Sequence, residues 1–395
     1  MLLNLLELAH PGASFVANDV SYYGYHLNEL DKGSATAMQE YPVPALWFIQ
    51  LLYRLGGGWQ TWRPLFAIVM LAIVIAVAVA LFRAGRAQAS FFWVSFTGAM
   101  GAIIWFRFDL VPAALVAFGA MYAFTRPRLA GALVAAGAAV KLWPAVLLFP
   151  LAAPSPHRRG PGQQRLVGFV VGGLALALIS LLVAGWDRNV SPLTWQSERG
   201  LQIESVAASP FLFLRSFTSL QLWPSGMSEF NSIELTGPGT GVAVMLTKVF
   251  FVATVVLAAT LAFRLSRFGT APADVPPAAM QLALLSIVLA IIVANKTLSP
   301  QYIVWLAGPA AALTLVEDPP AWLIRPRRVI LVWLVGIAAL TRYTYPWATL
   351  GIIATPNGNG FETSFLLLRN LCLVLLLGYT SWLTWRAARV PSLSQ

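Results

Sequence analysis

The sequence predicts an all-α fold, a polytopic transmembrane helical bundle of about 10–12 helices that forms a single integral membrane domain over residues 1–395. Of the 395 residues, 58% are hydrophobic, only 10% are charged and 15 are tryptophan. The mean hydropathy of +0.73 lies well above that of soluble domains. A water-soluble fold has no means of burying so large an apolar fraction, so a membrane protein is expected.

Apolar runs of helical length recur along the chain, and we interpret them as the membrane helices. They lie at about residues 62–82, 89–106, 108–125, 129–153, 165–185, 241–264, 278–295, 301–316, 329–345 and 364–385. The leading segment MLLNLLELA is too short to cross a bilayer and lacks the basic start of a signal peptide. We interpret it as the remnant of a first helix that begins upstream.

The arginines fix the orientation of the bundle. Alternate connections hold 14 lysine and arginine residues against three acidic residues, Asp274, Glu317 and Asp318. The positive-inside rule assigns these connections to the cytoplasmic side of the cell membrane. Three long loops, 10–61, 186–240 and 346–363, then lie outside, so the active face of the protein is expected to be the outer face.

A broken helix pair is predicted between residues 129 and 153. Arg126 and Arg128 on one side, and Arg158 and Arg159 on the other, are both cytoplasmic. The apolar run between them is too short to cross the membrane twice as full-length helices. It is also too long and apolar to stay outside the membrane. We therefore predict two short helices that turn at VKLWP, where Lys141 and Pro144 interrupt the helix, with the small residues of GALVAAGAAV allowing close packing.

Several classes of site are disfavoured by composition. The one cysteine, Cys372, and the three scattered histidines give neither a disulfide framework nor metal-ligand spacing, so no metal and no cofactor are expected. The net charge of +11 marks the cytoplasmic rim rather than a binding stripe, so no nucleic-acid partner is expected. Membrane lipids are the expected surroundings.

Asp19 is the first of the polar groups that need an explanation. It stands in FVANDVSYYGY, just before Tyr22, Tyr23 and Tyr25. A carboxylate beside an apolar cavity can take a proton from a hydroxyl group, because burial raises its pKa. The alternative is a turn or helix-cap aspartate that follows Asn18.

Three more charges lie close to predicted membrane depth, where an ionisable side chain is costly. Arg107 and Asp109 stand in WFRFDLVP, between two apolar runs. Either they form a mutual salt bridge that holds the turn, or they bind a phosphate or hydroxyl of a substrate. Lys141 is a lone cation at the predicted helix break and suits an anion such as phosphate, although a lysine that snorkels to the interface has the same pattern.

The fourth place comprises two outer segments, TWQSERGLQIES and NKTLSPQY, whose side chains are able to hold a sugar by hydrogen bonds. Trp195 and Tyr302 offer apolar ring faces. A solvated loop that closes over the helix ends is the equally open alternative. The polar side chains are Glu198, Arg199, Gln202 and Glu204 in the first segment and Lys296, Ser299, Gln301 and Tyr302 in the second.

These motifs together resemble the polyprenol-phosphate-dependent glycosyltransferases of the GT-C superfamily, of the glycosyltransferase 87 type. The motifs are Asp-x-x-x-Tyr from Asp19 to Tyr23, then YPVP, RFDLVPA, KLWPAVLL, RGLQIES and SPQYIVWL, in this order. The group includes actinobacterial mannosyltransferases and arabinofuranosyltransferases. The resemblance covers most of the chain.

The resemblance implies an inverting transferase that moves a hexose, with mannose expected, from a polyprenyl-phosphate sugar donor to a lipid or lipoglycan acceptor at the outer leaflet. It implies that Asp19 is the general base. Cations stabilise the departing phosphate, and Arg107, Lys141 and Lys296 are the candidates. With such cations no metal is required. The other residues expected to bind substrate are Tyr23, Asp109, Arg199, Glu204, Gln301 and Tyr302.

Rival functions remain open on the sequence alone. A transporter or flippase of a lipid-linked sugar would use the same cations and the same broken helices. A polyprenyl-phosphate arabinofuranosyltransferase would differ only in the sugar. A structural factor in envelope assembly would leave Arg107 and Lys141 without a role.

Overall fold

The computed structural model describes residues 13–34, 37–59, 61–85, 87–153, 160–268 and 276–388. These residues are almost entirely helical, which confirms the predicted all-α class. The leading segment MLLNLLELA, the residues Arg158 and Arg159, and Asp274 lie outside the described residues.

The helices of the first half begin with α1, which lies where the sequence indicated only a loop. Helix α2 lies in the same predicted loop, and each later helix of this half falls within or beside a predicted apolar run. Their bounds are α1 Ala13–Asp31, α2 Val43–Leu55, α3 Trp62–Arg83, α4 Ala87–Met100, α5 Leu110–Met121, α6 Pro127–Val140, α7 Leu148–Leu151 and α8 Pro161–Glu198. Short 3-10 turns extend α4 over Gly101–Phe106 and precede α7 over Trp143–Leu147.

The second half contains both long and short helices and a small sheet. The helices are α9 Ser209–Phe217, α10 Thr240–Phe268, α11 Pro277–Val293, α12 Ala307–Thr314, α13 Ala321–Arg342, α14 Thr349–Ile353 and α15 Gly360–Ala387. A 3-10 turn, Pro300–Leu306, precedes α12, and a π-helical turn, Tyr343–Trp347, follows α13. Strands β1 Leu201–Gln202, β2 Ser225–Met227 and β3 Ile233–Leu235 form an antiparallel sheet in the order β1-β3-β2.

The described part of the chain contains five helices long and apolar enough to cross a membrane: α3, α4 with its 3-10 extension, α8, α10 and α15. Shorter apolar helices, among them α5, α6 and α11, pack between them. Helix α11 is apolar on all sides and is buried along nearly its whole length, so it lies inside the bundle rather than against lipid. The protein is a multi-pass membrane protein.

The broken helix pair is confirmed. Helix α6 ends at Val140, and the backbone of Lys141 is extended, with φ −161° and ψ 122°. The chain resumes as the 3-10 turn that starts at Trp143, with Pro144 near its beginning. The break therefore falls where the charged residue and the proline interrupt the apolar run, and it turns the side chain of Lys141 toward the interior cavity described below.

Small residues bring α6 and α8 into backbone contact. A Cβ atom at Gly131 would lie 1.9 Å from the carbonyl oxygen of Arg165, and one at Gly168 would lie 1.9 Å from that of Arg128. Such distances exclude any side chain larger than hydrogen. The predicted close packing of GALVAAGAAV is therefore observed, with α8 as its partner.

The central segment, predicted as a loop over 186–240, has secondary structure that the sequence did not indicate. The chain direction breaks at Gly185, where φ is +73° and ψ is 177°, and α8 then continues helically to Glu198. Arg188 donates hydrogen bonds to the carbonyl oxygens of Met38 at 2.8 Å and Tyr41 at 2.9 Å. The segment is thus fastened to the connection between α1 and α2.

A substitution in α8 tests the backbone contact. Gly168→Val forces α6 and α8 apart and is expected to lower the free energy of unfolding by about 1–3 kcal/mol. The matched control is Gly173→Val in the same helix, where an added Cβ has its nearest neighbour at 3.8 Å. Thermal unfolding of the detergent-purified variants measures both. Equal shifts for the two substitutions would contradict the packing argument.

Candidate active site

A cavity of about 790 Å³ opens where the broken helix pair, the end of α8 and the beginning of α10 meet. The N-terminal helix α1 and the turns at 300–306 and 343–347 complete its wall. Nine of the ten predicted site residues line it, although they come from five separate parts of the chain. They are Asp19, Tyr23, Arg107, Lys141, Arg199, Glu204, Lys296, Gln301 and Tyr302.

Asp19 lies inside α1 and pairs with Arg107. The Nη1 atom of Arg107 contacts the Oδ1 atom of Asp19, and its Nη2 atom donates to the hydroxyl of Tyr345 at 2.5 Å. Burial raises the pKa of Asp19, and the positive charge of Arg107 opposes that rise. The cap interpretation is wrong, because Asp19 is in the body of a helix and its carboxylate faces the cavity.

Two tyrosines stand beside this ion pair. The hydroxyl of Tyr41 donates to that of Tyr23 at 2.8 Å, and the two rings pack edge to face with centroids 5.4 Å apart. Tyr23 belongs to the Asp-x-x-x-Tyr motif and Tyr41 to the YPVP motif. The contact therefore joins two motifs that the sequence separates, and it fixes the position of α1 against α2.

Asp109 and Lys141 form a second ion pair, just behind the cavity wall. The Nζ atom of Lys141 lies 2.6 Å from the Oδ1 atom of Asp109, which also accepts a hydrogen bond from Trp305 Nε1 at 2.9 Å. Lys141 is therefore not the lone cation that the sequence suggested. Arg107 and Asp109, two residues apart, serve two different ion pairs.

The ring of Tyr302 does not have the free face that the sequence analysis assigned to it. It stacks on Trp305 with a centroid distance of 4.2 Å, and the Nζ atom of Lys141 lies 4.5 Å from its centroid on the cavity side. Trp305 stacks in turn on Trp143 at 4.7 Å. This column of rings lies beside Lys141 and lines the cavity. Trp195 lines the cavity and packs edge-on against Phe230.

Glu204 is a second carboxylate on the cavity. Its Oε2 atom accepts from Arg369 at 3.1 Å, and Asn370 donates to the carbonyl oxygens of Glu204 at 3.3 Å and Ser205 at 3.2 Å. Burial raises the pKa of Glu204 to about 7, although Arg369 acts in the opposite direction. Two consecutive residues of α15 thus hold the segment that follows β1.

Lys296 and Arg199 are two further cations that lie close together in the cavity lining. Lys296 Nζ donates to the carbonyl oxygen of Ser197 at 3.1 Å and to that of Arg199. Burial lowers the pKa of Lys296, and the charges of Lys248 and Arg199 lower it further. The cavity therefore has a positive end, which is distinct from the Asp19–Arg107 pair.

Sequence reasoning missed four contributors to the site: Lys248, Tyr345, Arg369 and Glu40. Lys248 carried a readable signal, because it is a single lysine inside the apolar run of α10. Arg369 carried the same signal within α15. Tyr345 and Glu40 gave none, since their place depends on the path of connections whose shape the sequence does not specify.

The arrangement combines a carboxylate able to accept a proton with several cations able to hold an anion. Hydroxyl, amide and indole groups around them can bind a sugar. Within the described ranges, no group of three or more His, Cys, Asp or Glu side chains is placed to hold a metal ion.

Comparison with known proteins gives one match. The sequence model of glycosyltransferase family 87 matches residues 40–294, which include every lining segment from YPVP to the end of α11. No curated protein sequence and no solved structure matches the chain.

The buried pair of Asp109 and Lys141 generates a stability prediction. The carboxylate side chain is only 3% exposed, so Lys141→Met leaves it unpaired and is expected to cost about 3–5 kcal/mol of unfolding free energy. Adding Asp109→Asn is expected to restore more than half of the loss. The matched control is Lys248→Met. Lys248 also lines the cavity but has no carboxylate partner among the described residues, so this substitution is expected to cost less than about 1 kcal/mol of unfolding free energy. A double variant no more stable than Lys141→Met alone would contradict the assignment.

Proposed function

Since the chain belongs to glycosyltransferase family 87, and is therefore an enzyme that transfers a sugar, we propose that it is an inverting hexosyltransferase. On this proposal it moves mannose from a polyprenyl monophosphate to a lipid or glycan acceptor at the outer face of the cytoplasmic membrane. The single observation that carries the proposal is the cavity, which collects a buried carboxylate and several cations beside an apolar mouth.

Asp19 is the proposed general base. The acceptor hydroxyl attacks the anomeric carbon of the donor sugar on the face opposite the phosphate, and its proton passes to a carboxylate oxygen of Asp19. The bond between the anomeric carbon and the phosphate oxygen breaks, and the phosphate leaves with the electron pair. Because burial raises the pKa of Asp19, this carboxylate is a stronger base than an exposed aspartate.

Arg107 has two parts in this proposal. Its guanidinium group holds the Asp19 carboxylate in place, and Tyr345 in turn holds the guanidinium. Positive groups around the donor stabilise the negative charge that grows on the leaving phosphate. The three cations that the sequence analysis named for this role, Arg107, Lys141 and Lys296, all line the cavity.

The mouth of the cavity favours a lipid-linked donor over a water-soluble one. Large apolar side chains border it from three elements and remain exposed: Leu142 by 51%, Leu193 by 56% and Val252 by 62%. Such side chains are unfavourable in water and favourable against a hydrocarbon chain. Leu193 and Val252 belong to α8 and α10, two of the long apolar helices, which supports a mouth that opens sideways, toward the bilayer.

The arginines support an outward-facing site. Arg165 donates hydrogen bonds to the carbonyl oxygens of Leu151 at 2.7 Å and Ala123 at 2.8 Å, and so gathers three connections at one end of the bundle. That end is the basic one, which the positive-inside rule assigns to the cytoplasm. The cavity is built from the opposite ends of α6 and α8, so the proposal assigns it to the outer side.

Transfer by purified protein tests the function. With polyprenyl phosphomannose and membrane lipid as substrates, Asp19→Asn is expected to lower the transfer rate by about 10²- to 10⁴-fold, because the amide accepts no proton. Asp31→Asn, an exposed residue at the end of the same helix, is the matched control and is expected to retain the wild-type rate.

The outcomes separate the rival functions. An undiminished rate in Asp19→Asn removes that residue from the base role. Transfer from polyprenyl phosphoarabinose, and not from the mannose donor, would identify an arabinofuranosyltransferase. Absence of transfer from either donor, together with movement of a lipid-linked sugar across vesicles, would identify a transporter.

The pH dependence of transfer follows from the state of Asp19. The base must be deprotonated, so kcat/KM is expected to rise with pH through the pKa of Asp19. Because burial raises this pKa, the acidic limb lies at a higher pH than that of an exposed aspartate. Arg107→Gln removes the opposing charge and is expected to move the limb to still higher pH. A limb that stays in place in this variant would contradict the assignment of Asp19 as its source.

A further inference from the structure

The cations of the cavity differ in how far they are already neutralised. Arg107 contacts the Asp19 carboxylate, and Lys141 lies 2.6 Å from that of Asp109. Arg369, behind the cavity, lies 3.1 Å from that of Glu204. An ion pair of this kind has little net charge to offer a ligand. Of the three cations that the sequence offered for the phosphate, Arg107, Lys141 and Lys296, the first two are therefore already largely neutralised.

A second set of cations has no such compensation. Lys248, Lys296 and Arg199 line the same cavity, and none of them makes an ion pair within 4 Å with a carboxylate of the described residues. They repel one another, since Lys248 and Arg199 both lower the pKa of Lys296. The negative charge of Glu234 acts on Lys296 and raises its pKa. The Oε2 atom of Glu234 also accepts a hydrogen bond from the backbone amide of Gly200 at 3.1 Å. Glu40 also lines the cavity and interacts electrostatically with Arg199. Three clustered positive charges therefore face two acids and leave a net positive charge that an anion can neutralise.

Backbone contacts fix this cluster in position. Lys296 is held by the carbonyl oxygens of Ser197 and Arg199, so its ammonium group stays beside the end of α8. The backbone amide of Gln202 donates to the carbonyl oxygen of Lys296 at 3.0 Å, which ties the same two segments from the other direction. Lys296 is therefore held in place beside the end of α8, where Lys248 and Arg199 lie close enough to act on its charge.

The depth of Lys248 indicates which kind of anion fits. It lies eight residues after Thr240, the first residue of α10, and therefore about 12 Å along a membrane-spanning helix. Its neighbours Phe251 and Val252 line the cavity and are 49% and 62% exposed. A lysine at this depth, next to exposed apolar side chains, reaches an anion that is attached to a hydrocarbon chain.

We infer that Lys248, Lys296 and Arg199 form a lipid-phosphate site at the lateral mouth of the cavity, with Lys248 as its membrane-side ligand. The inference rests on the proposed function for the identity of the lipid, which is either the polyprenyl phosphate of the donor or the phosphate of an anionic acceptor lipid. In both cases the ligand is a phosphate group that carries a long apolar chain. The apolar chain lies along α10, and the phosphate lies between α10 and the end of α8.

Equilibrium binding of radiolabelled polyprenyl monophosphate to the purified full-length protein tests this site. Lys248→Gln is expected to weaken binding about tenfold, because one charge-assisted contact to the phosphate is lost. Lys248→Arg is expected to restore most of the affinity. Lys32→Gln makes the same change of charge at an exposed lysine that does not line the cavity, and it is expected to bind as the wild type does. Retention on size-exclusion chromatography shows that each variant is folded.

Unlabelled competitors identify the source of the phosphate. Displacement by polyprenyl monophosphate, and not by phosphatidylglycerol, supports the donor lipid. Displacement by phosphatidylglycerol that is lost in Lys248→Gln supports an anionic acceptor lipid. Equal displacement by inorganic phosphate or by the matching polyprenol, or wild-type affinity in Lys248→Gln, overturns the site.

The failure of this inference and the failure of the proposed function give different results. Sugar transfer that depends on Asp19 but is unaffected by Lys248→Gln would refute the lipid-phosphate site and leave the transferase intact. Binding that depends on Lys248 in a protein that transfers no sugar from either donor would leave the site intact and refute the proposed transfer reaction.

Discussion

The ion pair between Asp19 and Arg107 is the interaction on which the site depends. Asp19 comes from α1, and Arg107 follows the 3-10 turn that ends α4, so the pair fastens the N-terminal helix to the bundle. Two residues later, Asp109 pairs with Lys141 at the helix break. One short connection, Arg107 to Asp109, therefore positions both the proposed base and the break that shapes the cavity. Neither carboxylate is stable at this depth without its cation, which explains why the two charged pairs occur together.

Features that a single segment determines could be predicted from the sequence. The apolar runs gave the membrane helices, because a helix that meets hydrocarbon must be apolar over its whole length. The interruption at Lys141 and Pro144 gave the broken pair, since both residues are costly inside an apolar helix. Asp19 was recognisable as a candidate because a carboxylate followed by tyrosines is unusual in so apolar a chain. In each of these cases the reason is local.

The partners of these residues could not be predicted in the same way. Arg107 and Asp109 looked like a local salt bridge, but each finds its opposite charge elsewhere, 88 residues away at Asp19 for Arg107 and 32 residues away at Lys141 for Asp109. Tyr302 looked like a platform for a sugar, but Trp305 and Lys141 cover it. Such outcomes depend on tertiary packing. The segment after Gly185, predicted as a loop, is a helix beside the cavity. Its direction is set by the positive φ of Gly185, which no apolar pattern reveals.

The uneven distribution of charge along the cavity affects the barrier to the proposed transfer. At one end, Asp19 and Arg107 nearly neutralise each other, while at the mouth three cations remain uncompensated by ion pairs. A polyprenyl phosphosugar is a phosphate diester with one negative charge, and its product is a monoester that carries more. Where the bound lipid is the donor, the proposed lipid-phosphate site interacts more strongly with the leaving group as the sugar departs than with the intact donor, and that difference lowers the barrier. On this argument the paired charges hold the proposed base and the helix break in place, and the cations without an ion pair stabilise the leaving phosphate.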